Sequence, residues 1–138
     1  MSSEEQTHAA FERLEAAFAA RDMDTLADCW DENIDYATPA VALTGRAARI
    51  AAEQSWFTAF PDAALEYGRT WVVGDTVIAE GRMIGTHMGP LVTPAGTLPP
   101  SGRSIAGTYV SIMRFAGGRV VHQRLYFDQA AMAAQLGA

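Results

Sequence analysis

Two side chains in this 138-residue chain have the type and setting for proton transfer, His87 and Asp128. His87 lies in Gly85-Thr86-His87-Met88-Gly89-Pro90, where an alternating strand pattern runs into a loop rich in glycine and proline. Asp128 ends Tyr126-Phe127-Asp128, the close of a second strand pair. An imidazole and a carboxylate at two strand ends, beside a long loop able to act as a lid, suit acid/base chemistry in a pocket. Asp128 also stands directly before Gln129-Ala130-Ala131, where an aspartate caps a helix. Catalysis and capping are both open readings at this point.

Composition narrows the chemistry. The length suits a single domain over 1–138, large enough to bury about two-thirds of its unfolded surface. The formal net charge of -6 argues against nucleic acid as a partner, because phosphate binding needs a basic surface. All ten basic residues are arginine, so a lysine Schiff base, and with it pyridoxal phosphate, is excluded. His8, His87 and His122 show no metal-ligand spacing, and no phosphate-binding glycine motif or nucleophile elbow occurs. Chemistry without metal or organic cofactor is expected. No apolar run approaches a membrane span, the N-terminal residues are polar and acidic, and Cys29 has no disulfide partner; a cytoplasmic location is expected.

The elements that must position these groups follow from periodicity. Ser2 or Ser3 caps a first helix, with Phe11, Leu14 and Phe18 at helical spacing. Arg21-Asp22 breaks it, and Asp24 is expected to cap a short second helix. Ile34-Asp35-Tyr36 is a short strand, and Thr44-Gly45 opens a third helix that ends at Pro61-Asp62. From Leu65 the period becomes two. Strands over 65–73 and 76–88 meet at Gly74-Asp75, and strands over 103–115 and 119–128 meet at Gly117-Gly118. A last helix is expected over 129–136. Helices followed by hairpins give an α+β fold, with helices on one face of a curved antiparallel sheet.

With Gly117-Gly118 as a two-residue turn, Tyr109, Ser111 and Met113 share a face with Tyr126, Arg124 and His122. The other face, with Val110, Ile112, Val121, Leu125 and Phe127, is mostly apolar. Either face can be the inner one, and a one-residue slip would exchange them.

Phe60-Pro61-Asp62, Val73-Gly74-Asp75-Thr76-Val77, Gly85-Thr86-His87-Met88-Gly89-Pro90-Leu91, Pro100-Ser101-Gly102-Arg103 and Tyr126-Phe127-Asp128-Gln129 together resemble the SnoaL-like polyketide cyclases, within the nuclear transport factor 2/ketosteroid isomerase superfamily. The resemblance implies a cone-shaped α+β fold, N-terminal helices roofing one central apolar pocket, and a homodimer through the outer sheet face. It implies cofactor-free intramolecular aldol closure of an aromatic polyketide ester, an apolar small-molecule substrate. Asp128 matches the family's acid/base aspartate and His87 its Gly-Thr-His histidine, expected to act as the hydrogen-bond partner of Asp128 or as the group that polarises the substrate oxygen. Tyr126, Arg124, Tyr109, Trp56, Phe60, Tyr36 and Trp30 are then the expected substrate-binding residues. Where the family often has His-Trp-Asp, this chain has Gln123-Arg124-Leu125, so the pocket is expected to gain an arginine and lose an indole. A related isomerase, dehydratase or hydrolase, or a binding protein without catalysis, is the alternative.

Overall fold

The computed structural model describes residues 2–138. The first helix, α1 (Ser3–Ala19), starts at Ser2, whose side chain accepts the Glu5 N–H at 3.1 Å. It ends where Arg21 takes a left-handed φ of 56°. The second helix, α2 (Met23–Cys29), is capped by Asp22 and not by Asp24. Asp22 accepts the Thr25 N–H at 3.1 Å and the Thr25 hydroxyl at 2.6 Å. Asp24 falls in the first turn, where a carboxylate still favours the positive end of the helix.

Next come β1 (Trp30–Ala37), β2 (Ala42–Thr44) and α3 (Arg46–Ala59), followed by the hairpin β3 (Ala64–Val73) and β4 (Thr76–Thr86). The long loop after β4 carries its own small hairpin, β5 (Leu91–Thr93) and β6 (Gly96–Leu98). The chain closes with β7 (Ser104–Ala116), β8 (Arg119–Phe127) and α4 (Gln129–Gln135). The main sheet has six strands in the order β2-β1-β8-β7-β4-β3. It is curved, unclosed and mixed: β1 runs parallel to β8, against the antiparallel expectation. A parallel neighbour needs a long crossover, and here nearly the whole fold lies between the two strands.

The turn at Gly117-Gly118 forms as expected, with both φ values positive, at 58° and 78°. Phe115 then pairs with Val120, also as expected. The next pair is Arg114 with His122, so Val121 is an extra residue in a β-bulge. The bulge shifts every later pair by one: Met113 faces Gln123, Ser111 faces Leu125 and Tyr109 faces Phe127. Gln123, Leu125 and Phe127 therefore turn inward, while His122, Arg124 and Tyr126 go to the outer face.

One core cluster packs Phe11, Leu26, Trp30 and Ile34 against Val77, Met113, Phe115 and Val120. A second joins Phe60, Ala63, Leu91, Ile105 and Leu136 at the far end of α3. Between the helices and the inner sheet face a cavity remains.

Candidate active site

The cavity has a volume of about 550 Å³ and a mostly apolar wall. α1 contributes Phe11, Leu14 and Phe18; the inner sheet face contributes Met83, Met113, Leu125 and Phe127. The β5–β6 hairpin region closes one side through Leu91, Val92 and Pro94. The long loop thus lies where a lid was expected.

α3 presents one helical stripe, Arg49, Glu53, Trp56 and Phe60, at intervals of three and four residues. The first three line the cavity. Arg49 and Glu53 are 6% and 7% exposed and form an ion pair, Nη1 to Oε2, at 2.8 Å. The guanidinium lies 4.2 Å from the Trp30 ring centre and 4.1 Å from that of Tyr36. Both contacts are in the cation–π range, so the charge is held between two aromatic faces. Burial raises the Tyr36 phenol above its ordinary pKa, with the nearby Arg49 opposing.

On the sheet, Tyr109 lies across Gly81, and its hydroxyl would stand 3.2 Å from a Cβ there. Burial pushes Tyr109 up to about 12 and raises Tyr67 as well, so both stay neutral donors near pH 7. The two hydroxyls approach each other without reaching hydrogen-bond geometry. Gln123 donates to Ser111 Oγ at 3.0 Å. Among the described residues, five buried side-chain polar atoms have no protein hydrogen-bond partner: Trp30 Nε1, Arg49 Nε, Tyr109 Oη and Gln123 Oε1, on residues lining the cavity, and His87 Nε2, away from it. Buried polar atoms are nearly always satisfied, and four of the five exceptions fall around one cavity, which singles it out as the candidate site.

Of the substrate-binding residues expected from the sequence, Tyr109, Trp56, Tyr36 and Trp30 line the cavity. Arg124 and Tyr126 do not, because the bulge at Val121 turns them outward. Arg124 pairs with Asp35 at 2.9 Å, and Tyr126 is 53% exposed. The cavity therefore gains Gln123 and Leu125 in place of the expected arginine. Phe60 is fully buried in the second core cluster.

His87 and Asp128 are also placed away from the cavity wall. The His87 ring is 1% exposed, packs 5.5 Å from the Phe60 ring and shares a 2.9 Å hydrogen bond between Nδ1 and Ser101 Oγ. Its backbone bonds to Arg103 and Gly102 at 2.8 Å each. The histidine thus ties the end of β4 to the end of the lid loop. Asp128 is exposed and accepts the Ala131 N–H at 2.9 Å, as the cap of α4. Sequence reading missed Arg49 and Glu53. The available signal was their position on one stripe with Trp56 and Phe60.

A helix-roofed curved sheet around one apolar cavity defines an NTF2-like α+β domain. The SnoaL-like polyketide cyclase family model matches residues 8–136, and the chain belongs to that family. No curated protein matches it. Among solved structures, a candidate SnoaL-like polyketide cyclase from Jannaschia sp. CCS1 is 24% identical, with a TM-score of 0.85 over 96% of this chain and 92% of that one. IdmH, a candidate polyketide cyclase from Streptomyces antibioticus, is 24% identical, with a TM-score of 0.77 over 96% and 99%. An LEH-like epoxide hydrolase from M. tuberculosis is 15% identical, with a TM-score of 0.73 over 95% and 89%. At these identities the likeness shows the shared fold.

Proposed function

We propose that this protein is a cofactor-free acid/base catalyst that closes a ring in an apolar carbonyl compound by intramolecular aldol addition, with an aromatic polyketide ester as the substrate type. The observation that carries this reading is the set of four unpartnered polar atoms on residues around a 550 Å³ apolar cavity. Apolar walls select a greasy, ring-bearing molecule, and a few polar groups fix its oxygens. Aldol closure removes a proton next to one carbonyl, joins that carbon to a second carbonyl and protonates the resulting alkoxide. Folding the substrate so that the two carbons meet can contribute up to ~7–11 kcal/mol. Family membership supports the reaction class. The test is incubation with an aromatic poly-β-keto methyl ester, followed by mass spectrometry and absorbance. Ring closure above the buffer rate is expected; uncyclised ester bound without turnover would leave a binding protein.

The outer sheet face supports a contact between two copies. Trp71, Ile78 and Ile112 form one cross-strand row there that ends in Arg124, and Val110 and Tyr126 share the next with Glu80 and Arg69. Val110 and Ile112 remain from the set expected from sequence, whereas Leu125 and Phe127 turn inward. A dimer in sedimentation at micromolar concentration, and a monomer for Ile112→Glu, are expected.

A further inference from the structure

Proton transfer needs a group that changes protonation state against the substrate. Among the described residues that line the cavity, Glu53 is the one carboxylate, Arg49 is the one guanidinium, and no histidine is present. Tyr109 and Tyr67 are raised by burial and stay protonated. Ser111 and Gln123 do not titrate in this range.

Keeping Arg49 and Glu53 inside has a cost. Taking two charges out of water is expensive, and well-packed apolar residues in their place are often as stable or more so. The fold nevertheless keeps the pair nine-tenths buried, held by two aromatic rings, on a helix whose neighbouring stripe residue Trp56 also faces the cavity. The ion pair uses Arg49 Nη1 and Glu53 Oε2, while Arg49 Nε has no protein acceptor. A donor and an acceptor are thus presented side by side to whatever enters. That pattern matches a neutral carbonyl with an acidic C–H beside it: oxygen to the guanidinium, hydrogen to the carboxylate.

We infer that Glu53 is the acid/base residue of the cavity and that Arg49 binds the carbonyl oxygen on which charge develops. The assignment rests on the acid/base reading given above. Glu53 takes a proton from the carbon next to the carbonyl; the electrons of that C–H bond form the enolate, and its oxygen carries the charge beside Arg49. The enolate carbon then bonds to the second carbonyl carbon. The alkoxide formed takes the proton back from Glu53, so the carboxylate is regenerated and no co-reactant is needed.

The first half of this cycle is testable without the natural substrate. 2-Tetralone, an apolar bicyclic ketone, serves as the probe. Its binding is read by quenching of tryptophan fluorescence, since Trp30 and Trp56 line the cavity. Its enolisation is read by mass spectrometry as deuterium uptake from D2O. Wild-type protein is expected to bind and to accelerate exchange. Glu53→Gln should still bind and should lose roughly 10²–10⁴-fold in rate. Arg49→Lys keeps the charge but lacks the Nε–H and the planar fork, and should lose roughly 10²-fold. Should Glu53→Gln fail to fold, Glu53→Asp carries the test, with its carboxylate drawn back by one methylene and a loss of about 10²-fold. A folded Glu53 variant that exchanges at the wild-type rate overturns the assignment and leaves the acid/base reading standing. Wild-type protein that binds the ketone without exchanging it overturns both.

Discussion

Two regions meet along α3 and differ in how their polar atoms are used. At the C-terminal end of the helix, Asp62 accepts the Thr86 N–H and hydroxyl at 2.7 Å each. Met88 donates to the Ala59 carbonyl at 2.9 Å, and Ser101 holds His87. Gly89 comes so close to α3 that a Cβ there would stand 2.1 Å from the Thr58 carbonyl oxygen. Among the described residues, His87 Nε2 is the one buried side-chain polar atom of this region without a partner, and the other contacts knot α3, β4 and the lid loop together. One to three turns earlier, the cavity face of the same helix holds Arg49 and Glu53 among aromatic rings, with unpartnered polar atoms nearby. Dense bonding between neighbouring elements marks scaffold, while a cluster of four unpartnered atoms around one cavity marks a site for something else. Asp62 and His87, from two of the motifs, belong to the first kind of region, while Leu91 and Phe127, from two of them, line the cavity.

The largest test of this contrast is removal of the knot's centre. His87→Ala takes out a fully buried ring and orphans Ser101, and should cost about 3 kcal/mol in denaturant unfolding. The folded fraction should keep its wild-type rate per molecule. An undiminished stability with lost turnover would make His87 catalytic and erase the contrast. Replacing the cavity pair by apolar residues of similar volume, as Arg49→Met with Glu53→Leu, should leave stability unchanged or raise it by about 1–2 kcal/mol while abolishing turnover. A loss of several kcal/mol in thermal melting would assign the pair a structural role instead.

Asp128→Ala removes one helix cap and should lower stability by about 1 kcal/mol, whereas Asp128→Asn, which can still cap, should change it by a few tenths at most. The smallest effect is expected outside both regions, at Asp28. It pairs with Arg119 and Arg13 at 2.8 Å each. The Arg119 hydrogen bond is the main reason its pKa falls from 3.8 to about 2. A depressed carboxylate stabilises the fold above its unfolded pKa, and that contribution fades as pH drops from about 4 through 2. The advantage of wild type over Asp28→Asn in melting temperature should be slight at pH 6, because the pair is exposed, and smaller still at pH 2, vanishing only below it.

The sequence carried the four helices, the five long strands, both tight turns and the fold class, because these depend on local periodicity and on glycine conformations; it missed the three-residue strands β2, β5 and β6. It carried less of the site for one specific reason. A single bulge at Val121 reverses the facing of β8, and nothing in Gly117-Gly118-Arg119-Val120-Val121 announces it. Arg124 and Tyr126 were thereby expected inside, and Leu125 and Phe127 outside. Tyr109 and Tyr36 do line the cavity: β7 pairs with β4 without a bulge, and Tyr36 lies just after the register shift between Trp30 and Asp35. Arg49 and Glu53 escaped notice because an i, i+4 pair of opposite charges usually decorates a solvent face. Only the shared stripe with Trp56 and Phe60 separates it from a surface pair. His87 and Asp128 were legible as residues able to do chemistry; their positions, one buried between β4 and the end of the lid loop and one at a helix cap, depended on tertiary packing.

The most direct measurement compares two isosteric changes in one assay: deuterium exchange of 2-tetralone by Glu53→Gln and by Asp128→Asn, each confirmed folded. The expected result is a loss of roughly 10²–10⁴-fold for Glu53→Gln and a rate within about twofold of wild type for Asp128→Asn. The reverse order, with Asp128→Asn inactive and Glu53→Gln active, would contradict the placement of the chemistry on α3 and return it to the strand end.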